Sequence, residues 1–89
     1  MNEAFGIASF RSRQQVLKFE NALRREGARV SIITTPRDVA VGCGLSIRFE
    51  LDEFNQVYDA YRRLRPSNLI GFYQVDRAEG NRTTTRPLV

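Results

Sequence analysis

Residues 34–49 read Thr-Thr-Pro-Arg-Asp-Val-Ala-Val-Gly-Cys-Gly-Leu-Ser-Ile-Arg-Phe. At the end of this stretch Leu45, Ile47 and Phe49 alternate with Ser46, Arg48 and Glu50. That two-residue period is the mark of a strand with one buried and one wet face. The only cysteine, Cys43, stands between Gly42 and Gly44. A thiol is therefore expected where a glycine-rich loop enters a strand, with the rest of the chain serving to position that loop.

Working outward, Ala28–Thr34 (Ala-Arg-Val-Ser-Ile-Ile-Thr) is rich in β-branched side chains and reads as a second strand. It begins one residue after Gly27, which closes a helical pattern: Ser12 stands three residues before Gln15, and Val16, Phe19 and Leu23 follow on one face. The outer face, with Arg13, Lys18, Glu20, Arg24 and Arg25, reads as solvated. Before it, Ala4–Phe10 is small and apolar throughout, suiting a strand closely approached at Gly6. After the central stretch, Asp52 is placed to cap a second helix striped by Phe54, Val57, Tyr58, Tyr61 and Leu64 and stopped at Pro66. The tyrosines read as packing and the acids Asp52 and Glu53 as first-turn complements of the helix dipole. A fourth strand is expected over Leu69–Val75.

The order is β-α-β-β-α-β. This is an α+β, ferredoxin-like arrangement, with a four-stranded antiparallel sheet and two helices on one face. Residues 1–76 are expected to form one domain and 77–89, without periodicity, a flexible tail.

Eighty-nine residues allow a single domain, one that buries only ~60 to 65% of its unfolded surface. No run is long enough to span a bilayer, and Glu3 with Arg11-Ser12-Arg13 interrupts any apolar leader. The expected location is the cytoplasm. The net charge of +4 comes from thirteen arginines and one lysine, so its sign alone decides little. A single cysteine excludes an intramolecular disulfide framework, and the absence of histidine removes the usual general base and metal ligand. An independent enzyme is not expected, and no cofactor or metal is called for.

Within the loop, Thr35, Pro36 and Asp38 look like the start of a short helical turn, with a hydroxyl at the cap, proline first and an acid third. Gly42 would end it. Cys43 would then follow a helical element, with Gly44 letting backbone N–H groups reach the sulfur. An ordinary cysteine, pKa ~8.5, is only ~3% thiolate at pH 7, so such donors and the nearby Arg37 would raise its reactivity. The competing reading is a buried cysteine filling space like a small hydrophobe.

Thr35-Pro36-Arg37, the Cys43-Gly44 pair and the Leu45–Phe49 strand, behind a βαβ opening, resemble the selenium/sulfur carrier-like family of small bacterial domains. The resemblance would cover Ala4 to about Val75. It implies a carrier that holds sulfane sulfur or selenium on Cys43 as a persulfide or perselenide and hands it to an acceptor protein. It further implies a cysteine desulfurase-type donor, Arg37 as an anion-stabilising neighbour, and Thr35, Pro36, Gly42 and Gly44 as the loop that presents the thiol. The Cys-Pro-x-Pro motif of better-understood sulfur-relay carriers is missing here.

Two other classes compete. One is a homodimeric binding or regulatory module that covers an open sheet face with a second copy, leaving Cys43 structural. The other is a basic RNA-binding domain. Nucleic acid is the disfavoured partner, because Ser46, Arg48 and Glu50 on the expected open face include no aromatic on which to stack a base.

Overall fold

The alternation that marks Leu45–Phe49 as a strand is realised, and it places the site. The computed structural model describes residues 2–39, 44–80 and 82–89. They form β1 (Glu3–Phe10), α1 (Arg13–Arg25), β2 (Val30–Thr34), β3 (Leu45–Phe49), α2 (Phe54–Leu64), β4 (Leu69–Ala78) and β5 (Arg82–Pro87). The strands make one antiparallel sheet in the order β2-β3-β1-β4-β5. The described residues thus form an α+β domain with two helices and five strands, one strand more than expected.

The extra strand comes from the segment read as a flexible tail. Thr83, Thr84 and Thr85 pair with Arg77, Asp76 and Val75, and Pro87 pairs with Tyr73 at the end of the ladder. Threonine is β-branched and suits an extended edge, and proline is tolerated there because an edge strand need not donate on both sides. Gly80, at φ +81°, helps turn the chain between Ala78 and Arg82. The expectation of an irregular tail is corrected accordingly.

Helix α1 ends as its residues dictate. The Ser12 side chain accepts from the Gln15 N–H, and Gly27 adopts φ +87°. At that end the Gly27 N–H donates to the Arg24 carbonyl and the Ala28 N–H to the Leu23 carbonyl, both at 3.0 Å. This closes the last turn in a Schellman motif. Helix α2 starts differently from the expectation: Asp52 is not its cap. A single 3-10 turn, Leu51–Glu53, precedes it, with no side-chain cap. The carboxylate of Glu53 instead receives the Arg29 backbone N–H at 3.2 Å and the Arg29 Nε–H at 3.3 Å. A local cap thus gives way to a bond that ties the start of α2 to the entry of β2.

Both helices pack on one face of the sheet, where Val16, Phe19, Leu23, Val57 and Ala60 meet Ala8, Phe10, Val30, Ile47, Phe49 and Phe72. Tyr58 and Tyr61 belong to this packing, with ring centroids 5.6 and 5.4 Å from that of Phe72. At the surface, Arg63 joins α2 to the end of α1, and its hydrogen bonds to Glu26 and then Asp59 hold its pKa above the ordinary range. Among the described residues no helix is long and apolar enough to cross a membrane.

The opposite face carries a second cluster of Phe5, Ile7, Val39 and Val75, with Ile33 and Tyr73 partly buried against it. Ser46, expected on a wet face, has 0% exposure. Alternation along β3 correctly divides the two faces, but the turn after β2 folds back over the second one.

Candidate functional site: the turn between β2 and β3

The site is built on a hairpin whose strands are in register from Val30 opposite Phe49 to Thr34 opposite Leu45. The pairing continues one step past the strands: the Thr35 N–H donates to the Gly44 carbonyl at 2.9 Å. Gly44 has φ +86°, and nothing lies within 4 Å of where a Cβ would stand. Its glycine is thus required by the left-handed backbone and not by crowding.

Beneath this rung runs a chain of three hydroxyls. Thr35 Oγ1 lies 2.7 Å from Ser46 Oγ, and Ser46 Oγ lies 2.7 Å from Ser9 Oγ. Ser9 and Ser46 face one another in the β1–β3 register and are both buried. Each hydroxyl can donate once and accept, so the chain satisfies polar groups that would otherwise be costly to bury. Replacing Ser46 by alanine breaks both links and leaves Ser9 with a buried, unpartnered hydroxyl. The expected loss is about 1–3 kcal/mol of stability, read by urea unfolding. A loss under about 0.3 kcal/mol would show that the chain contributes nothing to holding the turn.

Pro36–Val39 forms a single turn closed by the Val39 N–H donating to the Pro36 carbonyl at 3.1 Å. The expected helical start, with Thr35 as cap, Pro36 at the first position and Asp38 at the third, is replaced by this turn. The Thr35 hydroxyl bonds to Ser46 Oγ and not to an N–H of this turn, so the expected cap is not made. Val39 turns inward, 6% exposed, against Phe5, Ile7 and Val75. Arg37 and Asp38 stay outside. Asp38 Oδ2 accepts a hydrogen bond from Thr85 Oγ1 at 2.8 Å, fastening the turn to β5.

Of the residues singled out in the sequence, Thr35, Pro36, Arg37 and Gly44 are thus brought together at the mouth of one hairpin. Gly42 and Cys43, with Ala40 and Val41, lie outside the described residues, and so do the expectations placed on them. Reading the sequence missed Ser9, Val39 and Thr85 as parts of this construction. The Thr83-Thr84-Thr85 run was the available signal for a strand that could reach the turn. Among the described residues no group of three or more acidic, cysteine or histidine side chains is placed to hold a metal ion.

The family described as Putative Se/S carrier protein-like matches residues 5–65, well over half of the chain. The chain belongs to this family. No curated protein and no solved structure matches it. In this Se/S carrier-like chain the matched stretch runs from β1 through α2 and contains the whole connection between β2 and β3. Strands β4 and β5 lie beyond it. The hydrogen bond from Thr85 to Asp38 therefore fastens a turn of the family stretch to an element outside that stretch.

Proposed function

We propose that the chain carries sulfane sulfur or selenium on Cys43 and passes it to an acceptor protein. What supports this reading is that the family stretch contains the chain's single cysteine, next to a glycine held in the left-handed region at the mouth of an anchored hairpin. In the loading step the Cys43 thiolate attacks the terminal sulfur of a donor persulfide. A new S–S bond forms, the donor's S–S bond breaks, and the donor cysteine leaves as a thiolate. In unloading, an acceptor nucleophile attacks the same terminal atom and the Cys43 thiolate leaves. Both steps conserve electrons, and neither requires a base, a metal or a second cysteine in this chain. With selenium, the carried group is a perselenide.

Arg37 is the residue we assign to stabilising the anionic thiolate and its loaded form, since it is exposed on the turn of the same loop. Thr35, Pro36, Gly42 and Gly44 shape the loop that presents the sulfur. The donor would be of the cysteine desulfurase type, the chain itself would lend a covalent site and not act as an independent enzyme, and transfer would take place in the cytoplasm. We read β1–β4 with α1 and α2 as a ferredoxin-like frame to which β5 is added. The RNA-binding alternative is less well supported, because Phe5, the aromatic of β1 on the face away from the helices, is 0% exposed and covered by Arg48. Incubation with a desulfurase and cysteine or selenocysteine, followed by intact mass, tests the proposal. Gain of one sulfur or selenium atom by the native chain and none by Cys43→Ser is the expected result.

A further inference from the structure

We propose that the depression between the Pro36–Val39 turn and the β4–β5 edge is a binding site for a small oxyanion of the phosphate class. The site shares Arg37 with the carrier reading but does not rest on it, and it holds whether or not Cys43 carries sulfur. The depression is open, about 410 Å³, and is lined by Pro36, Arg37, Asp38, Arg77 and Thr83. Two guanidinium groups and a hydroxyl thus border one hollow, with a single carboxylate beside them.

The arrangement of the charges is what favours an anion. Glu3 lies between two arginines and is not shared equally: its Oε2 is 3.2 Å from Arg48, while its Oε1 is 3.6 Å from Arg77. The second separation is longer than an N–H···O hydrogen bond, so Arg77 keeps donors for a ligand. Both guanidinium groups lie over the Phe5 ring, at 4.0 Å for Arg48 and 5.1 Å for Arg77, which limits where Arg77 can swing. Asp38 is the group that would repel an anion. One of its oxygens already accepts from Thr85, which also fixes the turn that carries Arg37. Over the cluster, Arg37, Arg48 and Arg77 outweigh Glu3 and Asp38. Guanidinium forks match the tetrahedral oxygens of phosphate better than they match a monatomic ion. The opening leaves room for the rest of a phosphate ester.

The test is a titration of the ¹⁵N-labelled full chain with inorganic phosphate at constant ionic strength, balanced with chloride. It follows the Nε–H signals of Arg37 and Arg77 and the amide of Thr83. The expected result is saturation of all three with one dissociation constant, weakened ~10-fold or more in Arg77→Gln and in Arg37→Gln. Arg37 is exposed on the turn, so its variant still decides the matter if loss of the Arg77 stack on Phe5 disturbs the fold. Glycerol phosphate as a second titrant separates the sources: equal saturation means an ester can bring the phosphate, and none means the free ion is the ligand. Shifts that rise linearly, that chloride reproduces, or that survive in Arg37→Gln would overturn the proposal.

Discussion

Truncation of Phe72 to alanine is expected to remove about 3–5 kcal/mol of stability, the range for deleting a fully packed aromatic ring from a core. Phe72 is 3% exposed, and its ring centroid lies 6.5 Å from that of Phe49 and 5.8 Å from that of Phe54. Tyr58 and Tyr61 complete the ring contacts, so β4 is joined through one side chain to β3 and to α2. A chain of 89 residues has a total stability of roughly 4–13 kcal/mol, so this change alone would remove a large share of it, and all of it at the lower end of that range. Urea unfolding followed by circular dichroism gives the number directly. A loss below about 1 kcal/mol would mean that the helix layer does not depend on β4, contrary to the packing described.

The second large effect is expected at Gly6, and it has the opposite origin. An alanine Cβ there would meet the Phe49 ring at Cε2 and Cζ, far inside contact distance. The ring has nowhere to go: Phe49 is 1% exposed and is bounded by Phe54 and Phe72. Overpacking of this kind costs about 1–3 kcal/mol or more. The remedy tells the two explanations apart. Gly6→Ala combined with Phe49→Leu, which removes the ring, is expected to be less destabilised than the sum of the two single variants. Additive losses would show that Gly6 is needed for a reason other than the ring above it.

These two positions also show how far the fold could be read from residues alone. The apolar run Ala4–Phe10 and the glycine within it point to close approach, and the Leu45–Phe49 alternation marks β3 at both of its ends. Helix α1 was legible because Ser12 and Gly27 mark both of its ends. Strand β5 was not, since it has no apolar stripe and is held mainly by its backbone ladder to β4. Its threonines carry a weak local preference that only the neighbouring strand turns into structure. The turn after β2 failed for a related reason. Thr35 can cap a helix or turn its hydroxyl to a neighbouring strand, and only the β1–β3 register that buries Ser46 supplies the partner it takes. Ser46 could be assigned to the correct face but not to burial, because the hydroxyls that partner it there, Thr35 and Ser9, come from other segments that only the sheet register brings to it. The candidate site is marked in the sequence by composition alone, one cysteine between two glycines after a Thr-Pro-Arg sequence, and its Gly42 and Cys43 lie outside the described residues.

The measurement that tests the carrier reading most directly is the intact mass of the chain after incubation with a cysteine desulfurase and cysteine, or selenocysteine, beside Cys43→Ser treated identically. The expected result is the addition of one sulfur or selenium atom to the native chain, its removal by a reductant, and no addition to the variant. An unchanged mass under conditions that load an established carrier, or an adduct that persists in Cys43→Ser, would contradict it.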